Sequence, residues 1–307
     1  MNKKRGRQKV LVTGASGFTG RYVINELLER GYEVVGVSRR KPQIINDNFK
    51  FISADLRCIL DIERLEEIAA RYDAVFHLAA DIRIPGDGDS IESNVKGTYN
   101  ILQFSKKLNI KKFIYLSSVP VIGAPLQIPI TEKHIIKPLT VYHMTKLWGE
   151  QLVECICSES IEWTVIRIPS PVGMGMGKSL FYTLLEKAMQ NEQIEIYGAG
   201  TRIQSYIDIR DLAHGLITAM EKSDGGLFLL SGKTAISDIG LARLVVDIIG
   251  SKSDIISDQR INVEDGNSWI VSYKKASLEW GYAPEFGLEE TIHWMYDGIK
   301  NETGCIF

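Results

Sequence analysis

Residues Lys9–Gly20 read KVLVTGASGFTG, an apolar run that feeds directly into glycines 14, 17 and 20. The fold turns on whether this stretch is a strand followed by an anion-binding turn. KVLV has the apolar, β-branched composition of a buried strand. In the following GRYVINELLERG, Val23, Ile24, Leu27 and Leu28 recur at three-to-four spacing, which marks one buried helix face. Between such elements, one glycine permits a tight turn and another lets backbone N–H groups approach a pyrophosphate. The helix N-terminus favours the negative charge. The spacing is G-x-x-G-x-x-G, not G-x-G-x-x-G, so the dinucleotide reading leans on the loop's place at the opening of the first strand–helix unit.

The alternation continues through EVVGVS, DIERLEEIAARY, DAVFHLAA, SIESNVKGTYNILQFSKKLNI, KKFIYLSS, VYHMTKLWGEQLVECICSES and IEWTVIRI. The strands are nearly continuous apolar runs, as in a parallel sheet covered on both faces. This rhythm predicts an α/β fold with a doubly wound parallel sheet, in which YLSS closes the fourth strand. After Pro169 the rhythm breaks at PSPVGMGMGKS, and the later elements are shorter and mixed. The expected division is a dinucleotide-binding domain over 1–168 with about 204–230, and a smaller α+β substrate-binding portion over 169–203 and 231–307.

Composition narrows the function. The chain has 307 residues, is 45% apolar and 24% charged, and carries a net charge of −2. No global field points to nucleic acid or an anionic membrane. No apolar run approaches a spanning length and no signal-peptide core is present, so a soluble cytoplasmic protein is expected. The opening MNKKRGRQK reads as a solvated tail. Cys58, Cys155, Cys157 and Cys305 form neither a CxxC nor a zinc-spaced cluster, so free thiols and no metal are expected.

The second strand ends in VVGVSRR. A cofactor with a free ribose 2′-hydroxyl wants an acid near this point, but Ser38, Arg39 and Arg40 stand there. Two guanidiniums and a hydroxyl suit a 2′-phosphate, which favours NADP over NAD. The alternative is that the arginines open the solvated loop RRKPQ. Further on, YHMTK places Tyr142 and Lys146 one helical turn apart on one face. A nearby cation lowers a phenol's pKa towards use as a base. A serine from YLSS, at the C-terminal edge of the sheet, can hydrogen-bond a substrate oxygen as charge develops there.

Taken together, these residues resemble the extended short-chain dehydrogenase/reductase family, in its NAD-dependent epimerase/dehydratase branch. The resemblance runs from Val10 to about Tyr296 and implies a Rossmann-like fold. TGASGFTG is similar to the family's T-G-x-x-G-x-x-G loop, which would place Gly14, Ser16, Gly17, Phe18, Thr19 and Gly20 at the cofactor. ADLR resembles the adenine-contacting segment, with Asp55 and Leu56. HLAA resembles the turn lined by Leu78, Ala79 and Ala80, and NVKGTYNIL the helix with a structural Asn94. The resemblance makes Ser118 the catalytic serine, Tyr142 the proton carrier and Lys146 the partner that tunes it and holds the ribose. Pro169 to Val172 would flank the carboxamide. It also implies a homodimer through the helices near Ser90–Lys107 and Val141–Ser158.

The chain departs from the family at informative places. Val119 and Pro120 replace the Asp-Glu pair of the dehydratases, which argues against sugar dehydration. Ser170 stands where Asn is frequent, and Gln204 where an arginine would hold a nucleotide diphosphate. Arg202 could compensate or be a surface turn residue. Met174–Ser179 is either a flap or a linker. Asp81 either touches substrate or caps the next segment, and His77 reads as a packed residue. The expected activity is hydride transfer at a hydroxyl- or keto-bearing carbon of a nucleotide sugar or related small molecule. The alternatives are an NADPH-dependent keto reductase and a non-catalytic dinucleotide sensor.

Overall fold

The computed structural model describes residues 8–68, 72–84, 86–157, 160–258 and 260–304. The basic opening up to Arg7, and Cys305, lie outside the described residues. The first half runs β1 (Lys9–Thr13), α1 (Phe18–Glu29), β2 (Glu33–Ser38), β3 (Phe49–Ser53), α2 (Ile59–Ile68), β4 (Ala74–His77) and α3 (Gly88–Ile91). A π-helical turn over Glu92–Lys96 leads into α4 (Gly97–Lys107), followed by β5 (Lys112–Ser118), α5 (Val141–Cys157) and β6 (Glu162–Ile168). The second half runs β7 (Ser170–Val172), α6 (Leu180–Gln190), β8 (Ile194–Tyr197), β9 (Ile203–Asp208), α7 (Ile209–Lys222) and β10 (Gly226–Leu229). It closes with β11 (Ala235–Ser237), α8 (Asp238–Ile249), β12 (Ile255–Asp258), β13 (Ser268–Trp269), α9 (Lys274–Trp280) and α10 (Leu288–Gly304).

Seven strands form one parallel sheet in the order β10-β6-β5-β4-β1-β2-β3. This is the doubly wound α/β fold read from the sequence. Its strand order reverses between β1 and β4, where open α/β sheets hold ligands beyond their carboxyl ends. Side-chain alternation in β1 builds both cores. Val10 and Val12 join Val23, Ile24 and Leu27 of α1, while Leu11 joins Ile101 and Phe104 of α4 on the opposite face. Each such side chain, fully buried, contributes about 1.5–3 kcal/mol.

The structure adds one strand to the expected sheet. FKFIS pairs as β3 on the outer edge of β2, so the strand ending in YLSS is the fifth. Edge position and alternating exposure hid it: of its five residues only Ile52 is buried.

The smaller lobe holds β9 between β11 and β13 with β7 also on β9, a separate β8–β12 pair, and the α6, α8 and α10 core. Residues 204–208 pair in the small sheet while Ile207 reaches the large lobe's core, and α7 and β10 build the large lobe. Helix α9 falls inside the expected substrate portion but packs on the large lobe, with Trp280 edge-on to Phe228 at 4.9 Å.

Candidate active site

The glycine loop leaves β1 at the switch point and is shaped by contacts that only glycine permits. Gly14 has φ +72°, and a Cβ there would stand 2.8 Å from the Ala79 nitrogen, so the turns after β1 and β4 touch. A Cβ on Gly20 would meet the Gly14 carbonyl at 2.2 Å, which seats the first turn of α1 against the loop. Gly17 begins α1 without a side-chain cap, leaving the first N–H groups of the helix free to bind an anion. These residues fit a dinucleotide pyrophosphate. Ser16, Phe18 and Thr19 stand half-buried around the exposed Gly17.

At the end of β2, the Ser38 hydroxyl donates to the Arg40 carbonyl at 2.7 Å, so it is used inside its own turn. Arg39 and Arg40 are exposed. Asp55 receives Arg57 through Nε at 3.0 Å and Nη2 at 2.6 Å. The Arg57 hydrogen bonds hold its carboxyl below the usual carboxylate range. Leu56 is tied to α4 through its carbonyl, which accepts from Asn100 at 2.8 Å.

Leu78 and Ala79 are half-buried and Ala80 exposed in the turn beyond β4, and Asn94 of the π-helical turn clips this turn to α5. Its amide donates to the Asp81 carbonyl and to Thr145 Oγ1, both at 2.9 Å, and its oxygen accepts the Asp81 N–H at 2.6 Å. Thr145 in turn donates to the Tyr142 carbonyl at 2.7 Å. The Asp81 carboxylate receives Arg83 and, at 3.3 Å, the Ser90 hydroxyl, so its bonds go to the following segment. His77 lies in the same buried chain. Thr98 donates to the Asn94 carbonyl and therefore accepts from His77 Nε2 at 2.8 Å, while Nδ1 accepts from Thr13 at 2.7 Å. Burial pushes this imidazole down to about 3, so it is neutral.

Ser118 ends β5 with a hydroxyl that caps nothing, and Tyr142 and Lys146 stand one turn apart on α5, which packs on that strand. Burial first, then the Asp81 charge, push the Tyr142 phenol up to about 12. Burial pushes Lys146 down to about 7 against the opposing charge of Glu150. The Lys146 ammonium stands over the Tyr115 ring at 4.2 Å from its centroid. One turn further, Glu150 takes Arg167 bidentately at 2.9 and 2.6 Å and also accepts the Ser117 hydroxyl. Sequence reading passed over Tyr115, Thr145 and Glu150. Only Glu150 left a signal, its place four residues beyond Lys146 on the same helix face.

The substrate side is more tightly self-bonded than expected. Gln204 donates to Ser170, so the two departures from the family pattern meet each other. Arg202 is claimed bidentately by Asp238, with both contacts at 3.1 Å. Pro169 is buried. Val172, expected to border the carboxamide, is 0% exposed and packs in the core of the smaller lobe with Phe181 and Leu184, which removes its side chain from the cleft. Met174–Ser179 is pinned at its start: Tyr22 donates to the Met174 carbonyl at 2.9 Å and Arg21 to that of Gly175 at 3.1 Å. Its last residue, Ser179, caps α6.

Residues 10–228 match the model of the NAD dependent epimerase/dehydratase family. The chain belongs to that family. It is an enzyme of the extended short-chain dehydrogenase/reductase type, which removes the sensor reading. A putative UDP-glucose 4-epimerase of Methanocaldococcus jannaschii is 28% identical, with 95% of this chain and 98% of the relative covered. A UDP-glucose 4-epimerase of Thermotoga maritima, solved with UDP-glucose, superimposes with a TM-score of 0.88 at 25% identity, over 96% of this chain and 100% of that one. A UDP-glucuronic acid 4-epimerase of Bacillus cereus, solved with UDP-glucuronic acid and NAD, gives 0.84 at 26% identity over 96% and 100%.

Proposed function

We propose that this family member is a nucleotide-sugar epimerase, which oxidises a hydroxyl-bearing sugar carbon and reduces it again from the other face. One observation carries the reading. The uncapped start of α1 opens at the same sheet edge as Ser118, with Tyr142 and Lys146 on the helix packed behind that strand. The backbone of Gly14–Gly20 holds the pyrophosphate. In its phenolate form Tyr142 takes the hydroxyl proton during oxidation, becoming the phenol that returns it to the same oxygen during reduction, and Ser118 donates to that oxygen as its charge changes. Lys146 places a positive charge one turn from the phenol. What the dinucleotide supplies when bound is a carbon that accepts a hydride and gives it back.

The cofactor in this reading is NAD. The Bacillus cereus relative was solved with it, and the Ser38 hydroxyl is already used within its turn. The exposed Arg39 and Arg40 alone speak for NADP. A second reading, an NADPH-dependent keto reductase, draws on Gln204–Ser170 and Arg202–Asp238, since Gln204 of β9 and Arg202 just before it are both bonded within the protein. Denaturing the purified protein and identifying the released dinucleotide separates the two. Stoichiometric NAD is the expected result. An empty site that binds NADPH much more tightly than NADH would overturn the epimerase reading in favour of the reductase.

The same reading makes the protein a homodimer. Tyr99 of α4 and Met144 and Trp148 of α5 are 46, 40 and 39% exposed, an apolar surface along the two helices. Sedimentation is expected to give twice the chain mass of 34.4 kDa, and a single-chain mass at micromolar concentration would refute the dimer. A cytoplasmic setting suits the exposed Cys58, which forms no disulfide. No described helix is long and apolar enough to cross a membrane.

A further inference from the structure

The face of β5 that meets α5 carries the Tyr115 ring, 0% exposed and held from several sides. The His77 ring of the adjacent strand stacks on it at 5.7 Å with planes 28° apart. Its hydroxyl donates to the Lys146 carbonyl at 3.4 Å. That hydroxyl also occupies the space a side chain at position 149 would need, since a Cβ on Gly149 would stand 2.0 Å from it. The helix therefore carries glycine where alanine would ordinarily be favoured. Strand, helix and neighbouring strand all fix one ring orientation, and that orientation presents the ring to the Lys146 ammonium at 4.2 Å.

An ammonium that is 4% exposed has lost most of its hydration. The groups facing it offer little in exchange. Glu150 is bidentate to Arg167 and bonded to Ser117, so its charge is shared. His77 is neutral, Tyr142 is a protonated phenol, and Asp81 is paired with Arg83. The negative face of an aromatic ring attracts a cation most strongly where water is excluded. We infer that Tyr115 is a positioning residue for this site: its ring face seats the Lys146 ammonium one helical turn from Tyr142 and fixes where that charge stands. Tyr115 itself reaches neither substrate nor cofactor in this role. The inference rests on the reading of Lys146 as the charge beside the catalytic phenol.

The test follows the 13Cε resonance of Lys146 against pH in cofactor-free protein, alongside the pH profile of kcat. Tyr115→Phe keeps the ring face and is expected to titrate with the wild type. Tyr115→Leu removes the face, and the Lys146 midpoint is expected to fall by about one unit, carrying the alkaline limb of kcat down with it. Equal midpoints in Tyr115→Leu and wild type would overturn the inference, as would an equally large shift in Tyr115→Phe. Should Tyr115→Leu fail to fold, stepwise fluorination of the phenylalanine in Tyr115→Phe weakens the ring face at nearly constant shape. The midpoint is then expected to fall with each fluorine, and a constant midpoint overturns the seat. The resonance is read without turnover, so retained activity in a Tyr142 variant would sink the proposed reaction and leave this result standing.

Discussion

Tyr142→Phe is expected to lose turnover by about 10²–10⁴-fold, the usual worth of a positioned proton carrier, while binding dinucleotide nearly as well as the wild type. The substitution removes one oxygen and keeps the ring that fills this half-buried position. The backbone carbonyl of residue 142 still accepts from Thr145, so the clip through Asn94 to the turn after β4 survives. The pyrophosphate cradle lies on β1 and α1 and is untouched. Steady-state turnover with a UDP-sugar, set beside equilibrium NADH binding, measures both halves of the expectation. Substantial residual turnover would remove Tyr142 from the proton path. Loss of turnover together with loss of binding would make its role structural.

The second large effect is expected on stability, at Glu150. Arg167 is 2% exposed, and the Glu150 carboxylate supplies its bidentate partner in the sheet interior. Glu150→Ala leaves a guanidinium buried without a counter-charge, at a cost of about 3–5 kcal/mol. Removing both charges is a different matter. Glu150→Leu with Arg167→Met replaces two desolvated ions by apolar volume and is expected to recover most of that loss. Denaturant midpoints of the three proteins, at an unchanged slope, give the comparison. A single-variant loss below about 1 kcal/mol would place the pair among weak, water-screened contacts instead. Glu150 also favours the charged form of Lys146, so its removal moves the Lys146 midpoint below about 7, the same direction as loss of the Tyr115 ring.

These two residues illustrate what could be read from the chain and what could not. The glycine loop and α1 were legible because backbone conformation and amphipathic spacing are local properties, written within the single stretch Lys9–Glu29. The Tyr142–Lys146 pair was legible for the same reason, since helical spacing alone sets it. Arg202 was not: its partner Asp238 opens α8, thirty-six residues on, and no local pattern announces such a pair. The same holds for Gln204 and Ser170, whose meeting depends on the pairing of β7 with β9. That the Val172 side chain packs into the smaller lobe's core was not legible, because a short apolar segment gives no sign of which side of a small sheet it will face. Strand β3 was missed because an edge strand needs little burial and so shows little periodicity. The π-helical turn at Asn94 leaves no trace in composition at all, yet it sets the residue that joins β4 to α5.

The path of the backbone between the lobes has a consequence for motion. The chain enters the smaller lobe at β7, returns with α7, leaves again after β10, comes back for α9 and departs once more into α10. A swing of the two lobes against each other would therefore have to bend every one of these connections together, and it would disturb contacts such as Tyr22 against Trp294 at 6.3 Å. The same path also means that neither lobe can be excised as a contiguous fragment. The two are expected to melt as one cooperative unit, and a nick anywhere between β6 and α9 would cut a strand shared by both.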